Sequence, residues 1–371
     1  LSRHLAMLWL PAEPDFLDDE AFLLSGFEDL RRDSPGCDND FNDLVFLVDA
    51  SPIEAIDQTP AFNFSPGDPD GDGVIGISDH YPSDGDRAFL TRMPANSERV
   101  VACEDRYPWI GDADFNDLVL AYHIETVSNA AGGITDLLLT LHLVARGATY
   151  EHSVGWHLPG LPASTTGSLS IERFLSDDAG THQVEPVRTI QQLVTQDKRR
   201  IPDLFPLTSV ALPPPPGNLL TNTYTGKIDR PAASVRVHLR FDQPIAPAVL
   251  GTQPYDLYFS IHHGEELWDV HFPGYPGFPE RTGYLPDETS PLSFLDDSGN
   301  PWMVELATNW QFPMEQVAIW NAYPSFVPWA ESEGEEATDW YAQPELGQGL
   351  VSEKLLDYVP SRVWNVGLPQ P

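Results

Sequence analysis

Carboxylates recur at alternate positions in one short stretch of the sequence, residues 68–79, which read DPDGDGVIGISD. Calcium takes about six to eight oxygen ligands, and a loop of this length supplies them from its first, third, fifth, seventh and twelfth positions, with glycine at the sixth for a sharp turn. The stretch meets this spacing, except that aspartate replaces the usual glutamate at its end. The predicted ligands are the side chains of Asp68, Asp70, Asp72 and Asp79 and the main-chain carbonyl of Val74. We predict a calcium site here; the alternative is a solvated acidic turn.

A second acidic pattern occurs twice. Residues 27–46 read FEDLRRDSPGCDNDFNDLVF, and residues 103–120 read CEDRYPWIGDADFNDLVL. In each copy a Glu-Asp pair precedes D-x-D-F-N-D, so side-chain oxygens alternate just before an apolar strand, and Phe41 and Phe115 are expected to anchor the loops. Each copy is predicted to bind calcium, although Asn and Asp that cap their own turns would give the same pattern.

The predicted ligands of the first copy are Glu28, Asp29, Asp38, Asp40, Asn42 and Asp43, and those of the second are Glu104, Asp105, Asp112, Asp114, Asn116 and Asp117. Together with the loop at 68–79, these motifs predict about three or more Ca²⁺ ions per chain.

Signatures of catalysis are weak. The stretch at His262-His263 lacks the HExxH spacing of a zinc site, and the sequence has no GxSxG, no phosphate-binding glycine loop and no CxxC pair. A pair of carboxylates for glycoside hydrolysis is an open alternative. It is weakly supported, because a chain with 56 acidic residues always offers some such pair. We therefore expect no enzyme. Seven of the ten tryptophans lie at 268–364, where core packing is the commoner use and a sugar-binding platform is the alternative.

The chain of 371 residues has a formal net charge of −36, with 20 Lys and Arg against 56 Asp and Glu. Such a surface repels phosphates and anionic headgroups, so we expect neither a nucleic-acid partner nor a membrane-surface partner. No apolar run approaches the ~18 residues needed to span a membrane, so we expect no membrane insertion. The 18 Phe, 12 Tyr and 10 Trp exclude a disordered chain, which would contain few aromatic residues.

The elements that must position these motifs are strands. The 36 prolines disfavour long helices, and apolar alternation predicts strands such as 44–48, 134–144, 154–158, 235–241 and 257–261. One short helix is predicted over 313–322. The fold class is therefore all-β, with jelly-roll-like β-sandwich modules, calcium-binding loops and little helix. The predicted divisions are an N-terminal β module at 1–60, a calcium-loop segment at 61–100 and a β-sandwich domain at 101–371.

The order of these motifs resembles a known family. Residues 68–345, with CEDRYPWIGDADFNDLVLAYHI, LHLVARGATYEHSVGWHLPG, HHGEELWDVHFPGYP and NPWMVELATNWQFPMEQVAIWNAYPSFVPWA, resemble bacterial secreted proteins with the LruC domain. Residues 1–52 resemble the closing part of a calcium-associated extracellular module that ends in FEDL…DFNDLVF, and the resemblance implies that this module is truncated here. The resemblance implies a secreted, extracellular or cell-surface bacterial protein linked to calcium. Cys103 departs from the family, which has an aromatic residue there.

These observations lead to one main expectation and two alternatives. The main expectation is a calcium-binding structural or adhesive protein of the bacterial surface or biofilm matrix that assembles with copies of itself into fibres or tubes. The first alternative is a calcium-dependent carbohydrate-binding module that recognises surface glycans, and the less favoured one is a secreted hydrolase. Cys37 and Cys103 adjoin the two motif copies, and the sequence leaves open whether these two cysteines form a disulfide.

Overall fold

The structure is a computed structural model, which describes residues 5–10, 22–27, 44–48, 62–63, 68–75, 78–109, 111–176, 182–184, 188–190, 200–224, 228–275, 277–278, 294–296, 299–306, 310–345 and 350–358. The chain divides into two compact units, 1–83 and 84–371. The division falls inside the segment 61–100 that the sequence sets apart.

The first unit contains a four-stranded sheet. Its strands are β1 (Leu5–Leu10), β2 (Phe22–Phe27), β3 (Leu44–Val48) and β4 (Phe62–Asn63). The order is β3-β2-β1-β4, with β1 antiparallel to β2 and parallel to β4. The apolar opening of the sequence is therefore the strand β1, paired on both sides, and β3 lies at an edge.

The second unit is a two-sheet sandwich. Its strands are β5 (Phe89–Met93), β6 (Arg99–Cys103), β7 (Leu118–Ser128), β8 (Ile134–Ala145), β9 (His152–His157), β10 (Gly167–Ser176), β11 (His182–Val184), β12 (Arg188–Ile190), β13 (Arg200–Phe205), β14 (Ala233–Ile245), β15 (Asp256–His263), β16 (Glu266–Val270) and β17 (Met303–Leu306). The large sheet has the order β11-β10-β14-β8-β7-β6-β17, with β12 on β10 and β5 on β7; the small sheet has the order β13-β9-β15-β16.

The main core lies between these sheets. Alternate residues of a strand point to opposite faces, so Leu137, Leu139 and Leu141 of β8 face Leu257 and Phe259 of β15 across the same apolar layer. The chain passes from the large to the small sheet after β8 and back after β9, and continues to alternate. The predicted all-β sandwich class is confirmed.

A second apolar layer covers the outer face of the large sheet. Val100 and Ala102 of β6, together with Val119 of β7, pack against aromatic side chains from the segment 310–358. Those aromatic residues are Trp310, Phe312, Tyr323, Phe326, Trp340 and Tyr358. Strands β6 and β7 are therefore buried on both faces, which explains why both read as continuous apolar runs rather than alternating ones.

Helix is a minor component. The short helices are α1 (Thr208–Ala211), α2 (Pro247–Leu250), α3 (Ile319–Ala322) and α4 (Phe326–Glu331), with 3₁₀ turns at Trp340–Ala342 and Leu355–Tyr358. Within the described part of the chain, no helix has the length and hydropathy to cross a membrane. The helix predicted over 313–322 is confined to α3, because Pro313 forms a β-bridge with Val351 and the Met314 amide donates to the Leu350 carbonyl.

One buried ion pair braces the large sheet. Both oxygens of Asp136 on β8 accept hydrogen bonds from Arg87, at 2.9 and 2.6 Å, and His238 Nε2 lies 2.7 Å from Oδ1. Burial alone would raise the pKa of Asp136, but the hydrogen bonds from His238 and Arg87 outweigh it and lower the pKa to about 2.

Asp136→Asn is expected to lower the free energy of unfolding by roughly 3–5 kcal/mol, because it removes the buried negative charge that Arg87 and His238 share. Urea titrations near pH 7 measure the loss. Asp242→Asn, an exposed aspartate on β14, is the matched control. Because the folded pKa of Asp136 is depressed, its contribution is present above pH 3.8 and is lost as the pH falls toward about 2. Equal stability of the two variants would contradict the bracing role.

Candidate metal centres

The loop that begins at Asp68 is held by its own main-chain amides. Asp68 Oδ1 accepts from the Gly71 amide at 2.6 Å, and its Oδ2 accepts from the Gly73 amide at 2.9 Å. Asp72 Oδ1 accepts from the Val74 amide at 2.7 Å. Gly73 has φ of +93°, a left-handed conformation that favours glycine, at the sixth position where the sequence predicts a sharp turn.

The remaining carboxylate oxygens of this loop face inward. Asp68, Asp70 and Asp72 each place one oxygen within 4.8 Å of the others. Oδ2 of Asp70, Asp72 and Asp79 is buried, and no described residue donates a hydrogen bond to it. Asp79 is itself buried, and its Oδ1 accepts from the Tyr81 amide at 2.7 Å. Buried carboxylate oxygens that accept no hydrogen bond are the oxygen ligands that a hard divalent cation prefers.

The electrostatics of this loop agree with that fit. Desolvation opposes ionisation of Asp68, but the amides of Gly73 and Gly71 outweigh it and lower its pKa. Desolvation, followed by the charge of Asp72, raises the pKa of Asp70. A cation would favour the ionised form of all these side chains at once.

The second candidate centre lies in the second unit, in the loop between β6 and β7. Glu104 follows β6 directly; its Oε1 accepts from the Phe115 amide at 2.6 Å and its Oε2 from the Ala113 amide at 3.3 Å. Ala113 and Phe115 have φ of +58° and +52°. Two non-glycine residues in the left-handed region are uncommon, and here they turn both amides toward one carboxylate.

Three carboxylates converge in this loop. Glu104, Asp112 and Asp114 each place one oxygen within 4.8 Å of the others. Glu104 is 4% exposed and Asp114 is 1% exposed, whereas Asp112 is exposed to solvent. Asp114 Oδ2 also accepts from the Gln316 amide at 2.8 Å, so a distant segment helps to hold the centre.

Burial of like charges dominates the electrostatics of this centre. Burial, followed by the charge of Asp112, raises the pKa of Asp114 to about 7. Burial, followed by the charge of Asp114, raises the pKa of Glu104 well above its ordinary value. Glu315 has its pKa raised to about 7 by burial and by Asp112. Without a cation, the centre therefore retains protons near neutral pH.

The other predicted ligands of this copy are not part of this three-carboxylate cluster and make other contacts. Asp105 Oδ2 lies 3.1 Å from His152 Nε2, and Asp117 Oδ2 accepts from the Asp105 amide at 2.8 Å. The Asn116 side-chain amide donates to the Pro313 carbonyl at 3.0 Å. Its Oδ1 packs so closely on Gly147 that any Cβ there would collide with it. These residues fix the loop, while Glu104, Asp112 and Asp114 form the cluster.

The predicted ligands Glu28, Asp29, Asp38, Asp40, Asn42 and Asp43 lie outside the described residues, as does Cys37. Cys103 is a buried free cysteine, and it forms no disulfide with any described residue.

Two groups at the second centre come from a distant part of the sequence. Gln316 and Glu315 contribute from a segment about two hundred positions away, and neither carries a local signal. A cavity of about 210 Å³ adjoins Glu104, and Trp302 and Trp320 line it. Tryptophan content alone did not indicate which rings lie there.

Fold and site together define an all-β sandwich protein with acidic loops suited to a divalent cation. The chain belongs to the family described as "Domain of unknown function (DUF4842)", which matches residues 132–341. A crystal structure from Bacteroides ovatus, described as a "putative lipoprotein", is similar with a TM-score of 0.55 and 18% identity. The similarity covers 71% of this chain and 76% of that one, and it shows the shared fold. No curated protein matches this chain.

In chelator, the unfolding free energy is expected to fall as the pH rises from about 5.5 to about 8. The folded protein holds protons on Asp114 up to about pH 7, whereas the unfolded chain releases them near 3.8, so ionisation on this interval favours unfolding. In millimolar calcium the fall should be smaller, because the ion replaces the protons.

Urea titrations at both pH values, with chelator and with calcium, measure this difference. Asp114→Asn is expected to flatten the dependence in chelator. A free energy that rises with pH in the chelated wild-type protein would contradict the expectation.

Proposed function

We propose that this protein is a calcium-binding structural or adhesive component of the bacterial cell surface or extracellular matrix, without enzymatic activity. The observation that carries the proposal is the set of buried carboxylate oxygens without donors at Asp70, Asp72 and Asp79. The convergence of Glu104, Asp112 and Asp114 supports it from an independent part of the fold.

The mechanism is electrostatic. Without calcium, each loop holds several carboxylates at distances where their charges repel one another. Calcium converts this repulsion into cross-links that fix the loop, and extracellular sites of this class bind at ~10⁻⁴–10⁻³ M. About three such ions would offset only a small part of the formal net charge of −36, so the rest of the surface stays acidic.

The proposed location rests on two lines of support. The fold relative from Bacteroides ovatus is described as a "putative lipoprotein", a class of protein held at membranes through an attached lipid. The motif order from residue 68 to residue 345 resembles LruC-domain secreted proteins. A location outside the cytoplasm also suits weak calcium sites, because calcium is abundant there.

Assembly with copies of the same chain is the proposed structural role, and β3 supports it. Strand β3 lies at the end of the described sheet, where it pairs with β2 and no other described strand covers its second edge. Leu44, Val45 and Phe46 on this strand are all exposed. An exposed apolar edge is a template for another strand, and head-to-tail strand addition grows open polymers rather than closed rings.

Asp70→Ala combined with Asp72→Ala is expected to lower the melting temperature in calcium buffer and to leave it unchanged in chelator. At a free calcium concentration 100 times Kd, one site contributes about 2.7 kcal/mol of stability. Native mass spectrometry should count about three ions or more on the wild-type chain and one fewer on the variant. Asp242→Ala combined with Asp339→Ala, both exposed, is the control pair. An equal loss of stability in chelator would sink the calcium assignment of this loop.

The wild-type chain is expected to sediment faster as its concentration rises in millimolar calcium. Val45→Lys should abolish this increase, because it places a charge on the open edge of β3. Val210→Lys, at an exposed valine of α1, should leave it intact. Sedimentation velocity measures both. A wild-type chain that remains monomeric at high concentration would refute assembly.

A further inference from the structure

The cavity beside Glu104 is enclosed by three segments of the second unit. Glu104 and Gly111 line it from the loop between β6 and β7, Trp302 from the residue just before β17, and Trp320 from α3. Its volume of about 210 Å³ is room for roughly seven water molecules at their volume in the liquid. The cavity is therefore large enough for a small organic group.

The aromatic wall of the cavity is held in place from behind. Trp302 is 7% exposed, and its ring meets Tyr107 edge-on, with centroids 5.0 Å apart. The carbonyl of Trp302 accepts from the Glu104 amide at 2.9 Å, so this residue is fixed next to Glu104. Trp320 is 42% exposed, so one ring of the wall reaches solvent. The folded chain thus presents a preformed apolar wall with an exposed rim.

The polar wall of the cavity is acidic. Glu104 Oε2 lies so close to Gly111 that a Cβ on that glycine would be 2.3 Å from it, and both residues line the cavity. The hydrogen bond that Oε2 accepts from the Ala113 amide is long, at 3.3 Å, and a carboxylate oxygen has a second lone pair. Asp296 is the second carboxylate, and Asn300 fixes it through two hydrogen bonds of 2.7 and 3.0 Å. None of the described residues that line the cavity is Lys, Arg or His.

This combination of walls selects a class of ligand. An anion would be repelled by Glu104, by Asp296 and by the net charge of −36. A wholly apolar ligand would remove water from Glu104 without giving it a hydrogen-bond donor, which costs free energy. An ammonium group brings a positive charge and three donors, and tryptophan rings attract cations.

We propose that this cavity binds one alkylammonium group, with its nitrogen at Glu104 and its methylene chain against Trp302 and Trp320. The group is either a free amine or the side chain of a lysine in another polypeptide, because both have the same chemistry. Hexylammonium, which has seven non-hydrogen atoms, matches the volume of the cavity. This role goes beyond the proposed calcium function and does not depend on it.

The test is isothermal titration calorimetry of the full chain with hexylamine at pH 7. Chelator is present because Glu104 also belongs to a candidate calcium centre, and ~0.15 M salt screens diffuse attraction to the acidic surface. Saturable binding of one hexylamine per chain is expected. The neutral analogue 1-hexanol, which has the same length, should bind at least about tenfold more weakly.

Nα-acetyl-lysine N-methylamide separates the two sources of the ammonium group. Tighter binding of this compound than of hexylamine would support a lysine side chain as the natural ligand. Weaker binding would support a free amine.

Two variants test the placement of the ligand. Trp320→Ala is expected to raise the Kd of hexylamine about fivefold, the effect of one exposed cation–π contact. Glu104→Gln should raise it about tenfold or more, because a charge-assisted hydrogen bond is lost. Trp109→Ala is the matched control, since Trp109 is 56% exposed and lies in the same loop as Glu104 but does not line the cavity. Its Kd should equal that of the wild-type chain.

Melting temperatures in chelator check that each variant folds, and Trp320→Ala decides the question if Glu104→Gln does not. No saturable binding of hexylamine, or equal binding of 1-hexanol, would overturn the inference and leave the proposed calcium function standing. An equal Kd for Trp320→Ala and the wild-type chain would also overturn it, because the amine would then bind elsewhere on the acidic surface. Amine binding that depends on Trp320, in a chain on which native mass spectrometry finds no calcium, would support the inference and refute the proposed function.

Discussion

The burial of like charges is the constraint on which the second unit's loop depends. Glu104 and Asp114 are almost completely buried, and Asp112 reaches the same point. Main-chain amides satisfy part of this charge, but burial, followed by the repulsion between the carboxylates, still raises the pKa values of Glu104 and Asp114 strongly. Uncompensated buried charges cost several kcal/mol, so a divalent cation that neutralises them would stabilise the folded loop strongly.

The double-sided burial of β6 and β7 makes such a loop possible. Glu104 follows the end of β6, and Leu118 opens β7 after the last acidic residue, so both ends of the loop are fixed in a sheet covered on both faces. The segment that carries the aromatic layer on the outer face also contains Gln316, whose main-chain amide donates to Asp114. The same packing that stabilises the sheet thus completes the cluster, and a change in either is expected to affect the other.

The two candidate centres hold several carboxylates close together by different means. The loop at 68–79 is local, because its amides and its carboxylates lie within a few residues of one another. The cluster at Glu104 is tertiary, since it draws on segments far apart in the chain. The first is expected to bind calcium with little effect beyond its own turn. The second couples the ion to a longer loop, from which Trp109 extends to the surface.

Alternating apolar residues and proline content determined the fold class from the sequence alone. The strand predicted at 44–48 coincides with β3, and the run from Ile134 forms β8. The spacing of Asp68, Asp70 and Asp72 likewise predicted their convergence, because a tight turn brings alternate residues together. Tertiary structure alone separated Asp105, which pairs with His152 at a distance of 47 positions, from the cluster formed by Glu104. It also shortened the predicted helix, through the bridge between Pro313 and Val351, and brought into contact the rings of Trp109, Trp268, His263 and Tyr150. Periodicity and spacing report on neighbours along the chain, whereas these contacts join segments whose proximity depends on the packing of the whole sandwich.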